Sequence, residues 1–261
     1  MNGQGRAAFA AAIIRGCRSE LAARGSNLVR EVVGLAEAVE DWRHYPAGDG
    51  YDFISHAQYF YHRHPDPEAP HEHGHFHLFL RAEGMPDDTL PLLLPEAAIA
   101  NLPTPPQAAP SKRGARDEVS HLVAIAIDAE GEPVRLFTTN RWVTGETWYR
   151  ADDVIRMLDR FSLDSAQPAG FVNFWLAAMV RLYQPEIAML LRERDRAVMD
   201  PRRHHRRVDV FEDPKFEVTS SLAIDLDARL AAVDRLVGDH PAPLQPPRPS
   251  RLPRMAEGWG S

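Results

Sequence analysis

The sequence predicts an α+β protein in which an antiparallel sheet of about four to five strands is flanked by helices from both ends of the chain. Helical periodicity dominates the first 40 residues and much of the chain after residue 150. Between these regions, segments rich in aromatic and β-branched residues alternate in polarity, as half-buried strands do. These segments come in pairs joined by short turn-forming sequences, which favours antiparallel hairpins.

The amino-terminal segment, residues 7–40, predicts two helices, because it is rich in Ala, Leu, Val, Glu and Arg. A break at residues 25–27 (GSN) can end the first helix and cap the second. The second helix carries four apolar residues on one stripe: Leu28, Val32, Leu35 and Val39. Residues 44–52 place Pro, Gly and Asp in turn positions, so we expect a loop there.

Two predicted hairpins supply most of the sheet. Residues 56–64 (HAQYFYHRH) and 73–81 (HGHFHLFLR) form the first pair, with residues 65–72 as the connecting loop. Residues 121–128 (HLVAIAID) and 133–139 (PVRLFTT) flank AEGE, whose glycine suits a tight turn, and form the second pair.

The carboxyl-terminal half predicts helices with one further strand. A helix at residues 151–161 keeps its apolar side chains on one face, and residues 171–200 continue helical. Pro185 must kink that second segment or begin a new helix. A strand at residues 216–224 and a helix at residues 227–237 complete the fold.

Composition indicates one globular domain over residues 1–238. Residues 86–116 contain seven prolines and predict a Pro-rich surface insertion. Residues 239–261 contain six prolines and three arginines without apolar periodicity, so we expect a disordered tail.

Charge and cysteine content narrow the class of protein. A net charge of -7 argues against a nucleic-acid partner, which needs a basic balance. No apolar run approaches the roughly 20 residues that span a bilayer, so no membrane partner is expected. The single cysteine, Cys17, fits a cytoplasmic location, and Arg15 just before it argues against an export signal.

Histidines alternate along the first predicted hairpin. His73, His75 and His77 share one face of their strand, because successive side chains of a strand point to opposite faces. The preceding strand places five residues on a single face: His56, Gln58, Phe60, His62 and His64. If His62 lies opposite His75, both sets face the same side and several imidazoles converge.

This convergence predicts a site for a divalent metal ion, zinc or iron. Same-face neighbours on a strand lie roughly 6.6 Å apart, so the whole set cannot bind one ion. We expect His62, His75 and His77 as ligands, with His73 and His56 as further candidates. Three carboxylates are candidate oxygen ligands or partners of the imidazoles: Asp52, Glu72 and Glu146. Half-buried histidines that only form hydrogen bonds would give the same pattern.

A second polar stretch, residues 135–149 (RLFTTNRWVTGETWY), runs from a strand into a loop. Arg141 could hold a carboxylate or phosphate in two hydrogen bonds, with Trp142 as an apolar wall. Glu146 could orient a ligand histidine or act as a general base, so we expect both charged residues to approach the histidines. The alternative is a buried network that only fixes the helix at residues 151–161.

The motif HGHFHLF resembles that of the histidine-triad family, with Gly74 at its first apolar position. This resemblance covers seven residues. It implies that the middle histidine, His75, attacks a nucleotide phosphate and forms a covalent intermediate.

A wider resemblance is to an uncharacterised bacterial family, a domain of unknown function. It is carried by EHGHFHLFLR with GMP shortly after it, and by RLFTTNRWVTGETWY leading into DDVIRMLDRF. The likeness extends from about Leu28 to Val233 and implies a single cytoplasmic domain, but no activity.

The sequence therefore predicts a metal-dependent enzyme, a zinc- or iron-dependent hydrolase or oxygenase acting on a small anionic substrate. Two alternatives are a histidine-triad-like nucleotide hydrolase or transferase, and a non-catalytic module that senses metal or pH. An open coordination position beside a cavity would favour an enzyme, whereas a closed site would favour the sensing module.

Overall fold

The computed structural model describes residues 3–34, 39–64, 69–93, 118–168, 170–203 and 209–238. In these ranges a six-stranded sheet follows chain order, and every neighbouring pair of strands is antiparallel. Its strands are β1 (Tyr45–Tyr51), β2 (Ala57–His62), β3 (Gly74–Arg81), β4 (Val119–Ile127), β5 (Pro133–Thr139) and β6 (Val218–Ala223). The predicted α+β class is confirmed, with a slightly larger sheet than expected.

Seven α-helices lie within the described ranges: α1 (Gly3–Ala23), α2 (Leu28–Val33), α3 (Arg141–Thr144), α4 (Ala151–Leu158), α5 (Phe171–Leu182), α6 (Gln184–Val198) and α7 (Leu226–Gly238). The predicted break between the first two helices is confirmed, since the Asn27 side chain caps α2 by accepting from the Arg30 backbone N–H at 3.0 Å. Pro185 lies in the first turn of α6, so it begins a new helix. No described helix is both long and apolar enough to span a bilayer.

The segment expected to be a loop at residues 44–52 is instead mostly strand β1, and that prediction was wrong. Buried Tyr45 pairs with Tyr61 of β2, after which the pairing is irregular. Gly48 and Asp49 have positive φ angles of 83° and 62°. Turn-forming residues are therefore accommodated inside an irregular strand at the edge of the sheet, where fewer backbone hydrogen bonds are required.

The two faces of the sheet differ in chemistry. On one face, Phe76, Leu78 and Leu80 of β3 join the main apolar core, which includes residues of every helix except α3. The opposite face carries His75 and His77 of the same strand, because side chains alternate along β3. Helix packing thus stabilises the sheet from one side, while the other side carries histidines together with aromatic residues such as Phe79 and Phe137.

Parts of two predictions fall outside the described residues. Of the Pro-rich insertion expected at residues 86–116, the structure describes residues 86–93. The tail expected at residues 239–261 lies wholly outside them.

Candidate metal centre

The centre begins with a pair of histidines on neighbouring strands. His62 of β2 lies directly opposite His75 of β3, the register on which the sequence prediction depended. The two Nε2 atoms are 2.7 Å apart, and each side chain belongs to a residue that is only 8% exposed. Directly paired residues have β-carbons about 4.5 to 5.5 Å apart, which brings the two imidazoles to one point above the sheet.

His64, two residues beyond His62, completes a group that we call the three-histidine cluster. Its ring centroid lies 5.5 Å from that of His62 and 5.2 Å from that of His75. The Trp42 ring stacks on the His64 ring, with 4.4 Å between their centroids. One ligand nitrogen from each of the three residues lies within 4.8 Å of the other two.

These nitrogens suit a tetrahedral metal ion. With metal–nitrogen bonds of about 2.0 to 2.1 Å, tetrahedral geometry puts two ligand nitrogens about 3.3 to 3.4 Å apart. The separations in the three-histidine cluster range around this value, from 2.7 Å to at most 4.8 Å. The three nitrogens therefore lie close to the spacing that a tetrahedral ion requires.

A second histidine pair lies beside the cluster. His77 is fully buried, and its Nδ1 lies 3.1 Å from Nε2 of His121 on β4. Its Nε2 has no hydrogen-bond partner among the described residues. The ring centroids of His77 and His75 are 4.9 Å apart. His77 thus adjoins the cluster, while the three residues whose nitrogens lie close enough together to hold one ion are His62, His64 and His75.

Sequence reasoning missed His121 because β4 contains a bulge. Leu78 pairs with Val123 whereas Phe79 pairs with His121, so Leu122 is an extra residue between them. Strict alternation would place His121 on the helix-covered face. The extra residue shifts it onto the face that carries His77, and no sequence pattern marks the bulge.

Two further predicted candidates lie apart from the cluster. His73 precedes the first residue of β3, and its Nδ1 lies 2.5 Å from the hydroxyl of Tyr61, a residue of the helix-covered core. The alternation used to place it does not extend beyond the strand. His56 has a positive φ of 60° just before β2, and its Nδ1 lies 2.7 Å from the Tyr51 hydroxyl.

Burial favours the neutral form of four imidazoles of this face: His62, His75, His77 and His121. It lowers the pKa of His62 to about 4, with His64 and His44 adding repulsion, and it lowers the pKa of His121 to about 3. The pKa values of His75 and His77 are also lowered, first by burial and then by neighbouring histidines. Neutral imidazole is the form that binds a metal ion, so His62 and His75 need no deprotonation near pH 7.

A cavity of about 70 Å³ opens beside the cluster. Its polar lining includes His64, His75, His77, Arg135, Glu72 and Thr139. A single water needs at least about 10 to 15 Å³ by this kind of measure, so the cavity accommodates several waters or one small molecule.

Arg135 supplies the positive charge in this lining. Its Nε and Nη2 donate to the two carboxylate oxygens of Glu72 at 2.6 and 2.7 Å. Its guanidinium carbon lies 4.3 Å from the centre of the Phe137 ring. The ion pair and the aromatic contact together fix the plane of the guanidinium group.

The cationic residue chosen from the sequence, Arg141, lies elsewhere. Its Nε is 3.2 Å from a carboxylate oxygen of Glu212, and it does not line the cavity. Trp142 is 55% exposed and does not line it either. Both residues belong to the single turn of α3, from which Val143 reaches the cavity.

The three carboxylates chosen from the sequence have separate partners. Glu146 is fully buried and accepts from the His121 backbone N–H at 2.8 Å and the Thr144 hydroxyl at 3.3 Å. Burial raises its pKa to about 7, although the charge of Arg194 opposes the shift. Asp52 accepts from three backbone N–H groups, those of Ile54, Ser55 and Ser165, whereas Glu72 binds Arg135.

Fold and site together define a class of protein: an α+β protein whose antiparallel sheet carries buried histidines on the face opposite the main apolar core. A family model described as a domain of unknown function, DUF6969, matches residues 8–224, and the chain belongs to this family. The predicted membership of a family without known function is confirmed. No curated protein and no solved structure matches the chain.

Proposed function

We propose that this protein is a metal-dependent enzyme that binds a divalent ion through His62, His64 and His75 and acts on a small anionic substrate. The observation that carries the proposal is the convergence of three imidazoles beside a cavity. Three protein ligands with a fourth position left for water or substrate are typical of catalytic zinc sites.

Charge supports an anionic substrate. Three neutral ligands leave the full 2+ charge of the ion in a buried place, and a bound anion would neutralise part of it. Hydroxide is one such anion, because zinc lowers the pKa of its bound water to about 7.

The ligand set favours hydrolysis over oxygen chemistry. Iron oxygenases typically combine two histidines with one carboxylate, whereas the group found among the described residues consists of three histidines. We therefore propose zinc as the ion, which His62, His64 and His75 would hold and which would supply an activated water for hydrolysis.

The two other functions considered from the sequence receive less support. A sensing module would suit a closed site, but His64 and His75 both line the cavity. Histidine-triad chemistry needs room for a nucleotide, and the cavity of about 70 Å³ is far below the roughly 300 to 1,000 Å³ typical of ligand pockets.

Elemental analysis of the protein purified without an affinity tag tests the proposal. We expect one equivalent of zinc in the unmodified chain and its loss in the double variant His62→Ala, His75→Ala. His56→Ala is the matched control and should retain the metal, because its imidazole contacts Tyr51 instead of the cluster. Metal that is far below one equivalent, or that persists in the double variant, would contradict the proposal.

A further inference from the structure

We infer that Arg135 is the residue that binds the substrate's anionic group, and that this group is the carboxylate of a small organic acid. The inference rests on the proposed function, since it concerns the same cavity. It assigns to Arg135 the role that sequence reasoning gave to Arg141.

Strand register places Arg135 next to the three-histidine cluster. His75 pairs with Ala126 of β4, and Ala126 pairs with Arg135 of β5. The backbones of β3 and β5 are therefore about 9.5 Å apart at this row, with both side chains on one face. Ala126 contributes only a methyl group between them, which leaves open space above β4.

The rows on either side of this space reinforce the arrangement. In the next row, His77 pairs with Ala124, and Ala124 pairs with Phe137. Phe137 contacts both sides of the site, since its ring lies 5.3 Å from the ring of His75 and under the guanidinium of Arg135. The charge of Arg135 also contributes to the lowered pKa of His75, as expected for two close groups.

Guanidinium geometry indicates what Arg135 would bind. Glu72 occupies the edge formed by Nε and Nη2. The opposite edge, formed by Nη1 and the second hydrogen of Nη2, is the other fork that matches a planar carboxylate in two hydrogen bonds. Among the described residues no second acceptor contacts Arg135.

The remaining lining fits a small polar ligand. His77 lines the cavity with an Nε2 that has no partner among the described residues, and Thr139 adds a hydroxyl. Glu217 also lines the cavity, but it is exposed, so solvent screens its charge. The volume of about 70 Å³ limits the ligand to a few heavy atoms.

Titration of the Co²⁺-loaded full chain with glycolate tests this inference, with the visible absorption of the bound Co²⁺ as the readout. The unmodified protein should give a saturable spectral change. Glu72→Gln should bind glycolate more tightly, because Arg135 loses its internal carboxylate. The double variant Arg135→Met, Glu72→Gln should bind at least about tenfold more weakly than Glu72→Gln, since charge-assisted hydrogen bonds are lost. It avoids leaving Glu72 buried without its partner.

Arg81→Met is the matched control. Arg81 is the last residue of β3, and its Nε donates to the Gln58 side chain at 2.7 Å. It does not line the cavity, so glycolate affinity should not change. Equal affinity in Glu72→Gln and the double variant would overturn the inference, as would binding of inorganic phosphate in preference to glycolate. Failure to take up Co²⁺ would contradict the proposed function itself, and the carboxylate site with it.

Discussion

His64 and His77 show how position separates two otherwise similar imidazoles beside His75. Both lie close to His75, and both line the same cavity. One nitrogen of His77 is already engaged by His121, whereas a nitrogen of His64 lies within 4.8 Å of candidate ligand nitrogens of His62 and His75. The ring nitrogens of a histidine are distinct, and the partner of one decides what the other can do.

Substituting each of these residues by glutamine should separate their roles. His64→Gln should weaken zinc binding by at least about tenfold because a ligand is lost, while His77→Gln should leave zinc affinity nearly unchanged. Competition against a coloured chelator measures both. Equal losses in the two variants would mean that His77 is a ligand.

Glu146 links burial to pH at the same scale. Its pKa is raised from 4.5 to about 7, so the folded protein holds a proton that the unfolded chain releases between these values. Its stabilising contribution is therefore fully present below about pH 4.5 and is lost as pH rises through 7.

Glu146→Gln should remove this loss. When pH rises from about 5 to 8, the free energy of unfolding of the variant should fall by on the order of 2 kcal/mol less than that of the unmodified protein. Denaturant unfolding at both pH values measures it, and Glu130→Gln, at an exposed site, is the control. An unchanged pH dependence would mean that Glu146 ionises normally.

Elements differ in how much of them the sequence specifies. Both central hairpins follow from alternation and turn residues, and the helices follow from periodicity and from caps such as Asn27. Strand β1 could not be predicted in this way, because its Pro, Gly and Asp residues are typical of turns although they lie in an edge strand. Local preference cannot show that tertiary pairing overrides it.

The candidate site was predictable only where one strand pair sufficed. Alternation and a single register place His62 opposite His75. Arg135 required the registers of two further strand pairs, and His121 required a bulge. Arg141 follows the end of its strand, so the sequence favoured it as an anion-binding loop residue, but α3 places it beside Glu212. Such long-range geometry is not contained in a local pattern.

Gly74 permits the close approach of β2 and β3 beside the cluster. A Cβ built at this position would lie 2.5 Å from the His62 carbonyl oxygen and would also clash with the Tyr61 hydroxyl. The strands could not pair normally with a larger residue there, because backbone atoms cannot move aside as a flexible side chain can.

Gly74→Ala should therefore lower the free energy of unfolding by about 1 to 3 kcal/mol. The same variant should also bind metal more weakly. Gly16→Ala in α1 is the matched control, since its added Cβ meets nothing within 4 Å, and it should stabilise by about 0.5 to 1 kcal/mol. Thermal unfolding and metal content measure both variants. A fully stable, metal-replete Gly74→Ala protein would refute this account of the strand pair.

In the whole molecule, one face of the sheet builds the apolar core and the other carries the candidate metal site. Apolar side chains such as Leu78 and Ile125 pack with the helices, and the imidazoles occupy the other face. Binding of an ion to the folded state alone adds stability according to its concentration relative to Kd.

Zinc at about 100 times its Kd should add about 2.7 kcal/mol, which raises the Tm by about 5 to 10 °C in a chain of this size. Thermal scans with and without zinc measure the shift. The double variant His62→Ala, His75→Ala should show none. An equal shift in that variant would indicate binding at other sites.

Because the sheet is divided in this way, we expect the chain to fold before it binds the ion. Because the helix-covered core contains none of the cluster histidines, the chain can collapse and pair its strands before any ion arrives. The ion would then bind to a site that is already folded. Small domains that stay unfolded without their metal behave differently, because their folding depends on metal binding. We therefore expect that a chelator can remove the ion without unfolding the protein, and that the folded chain can bind the ion again.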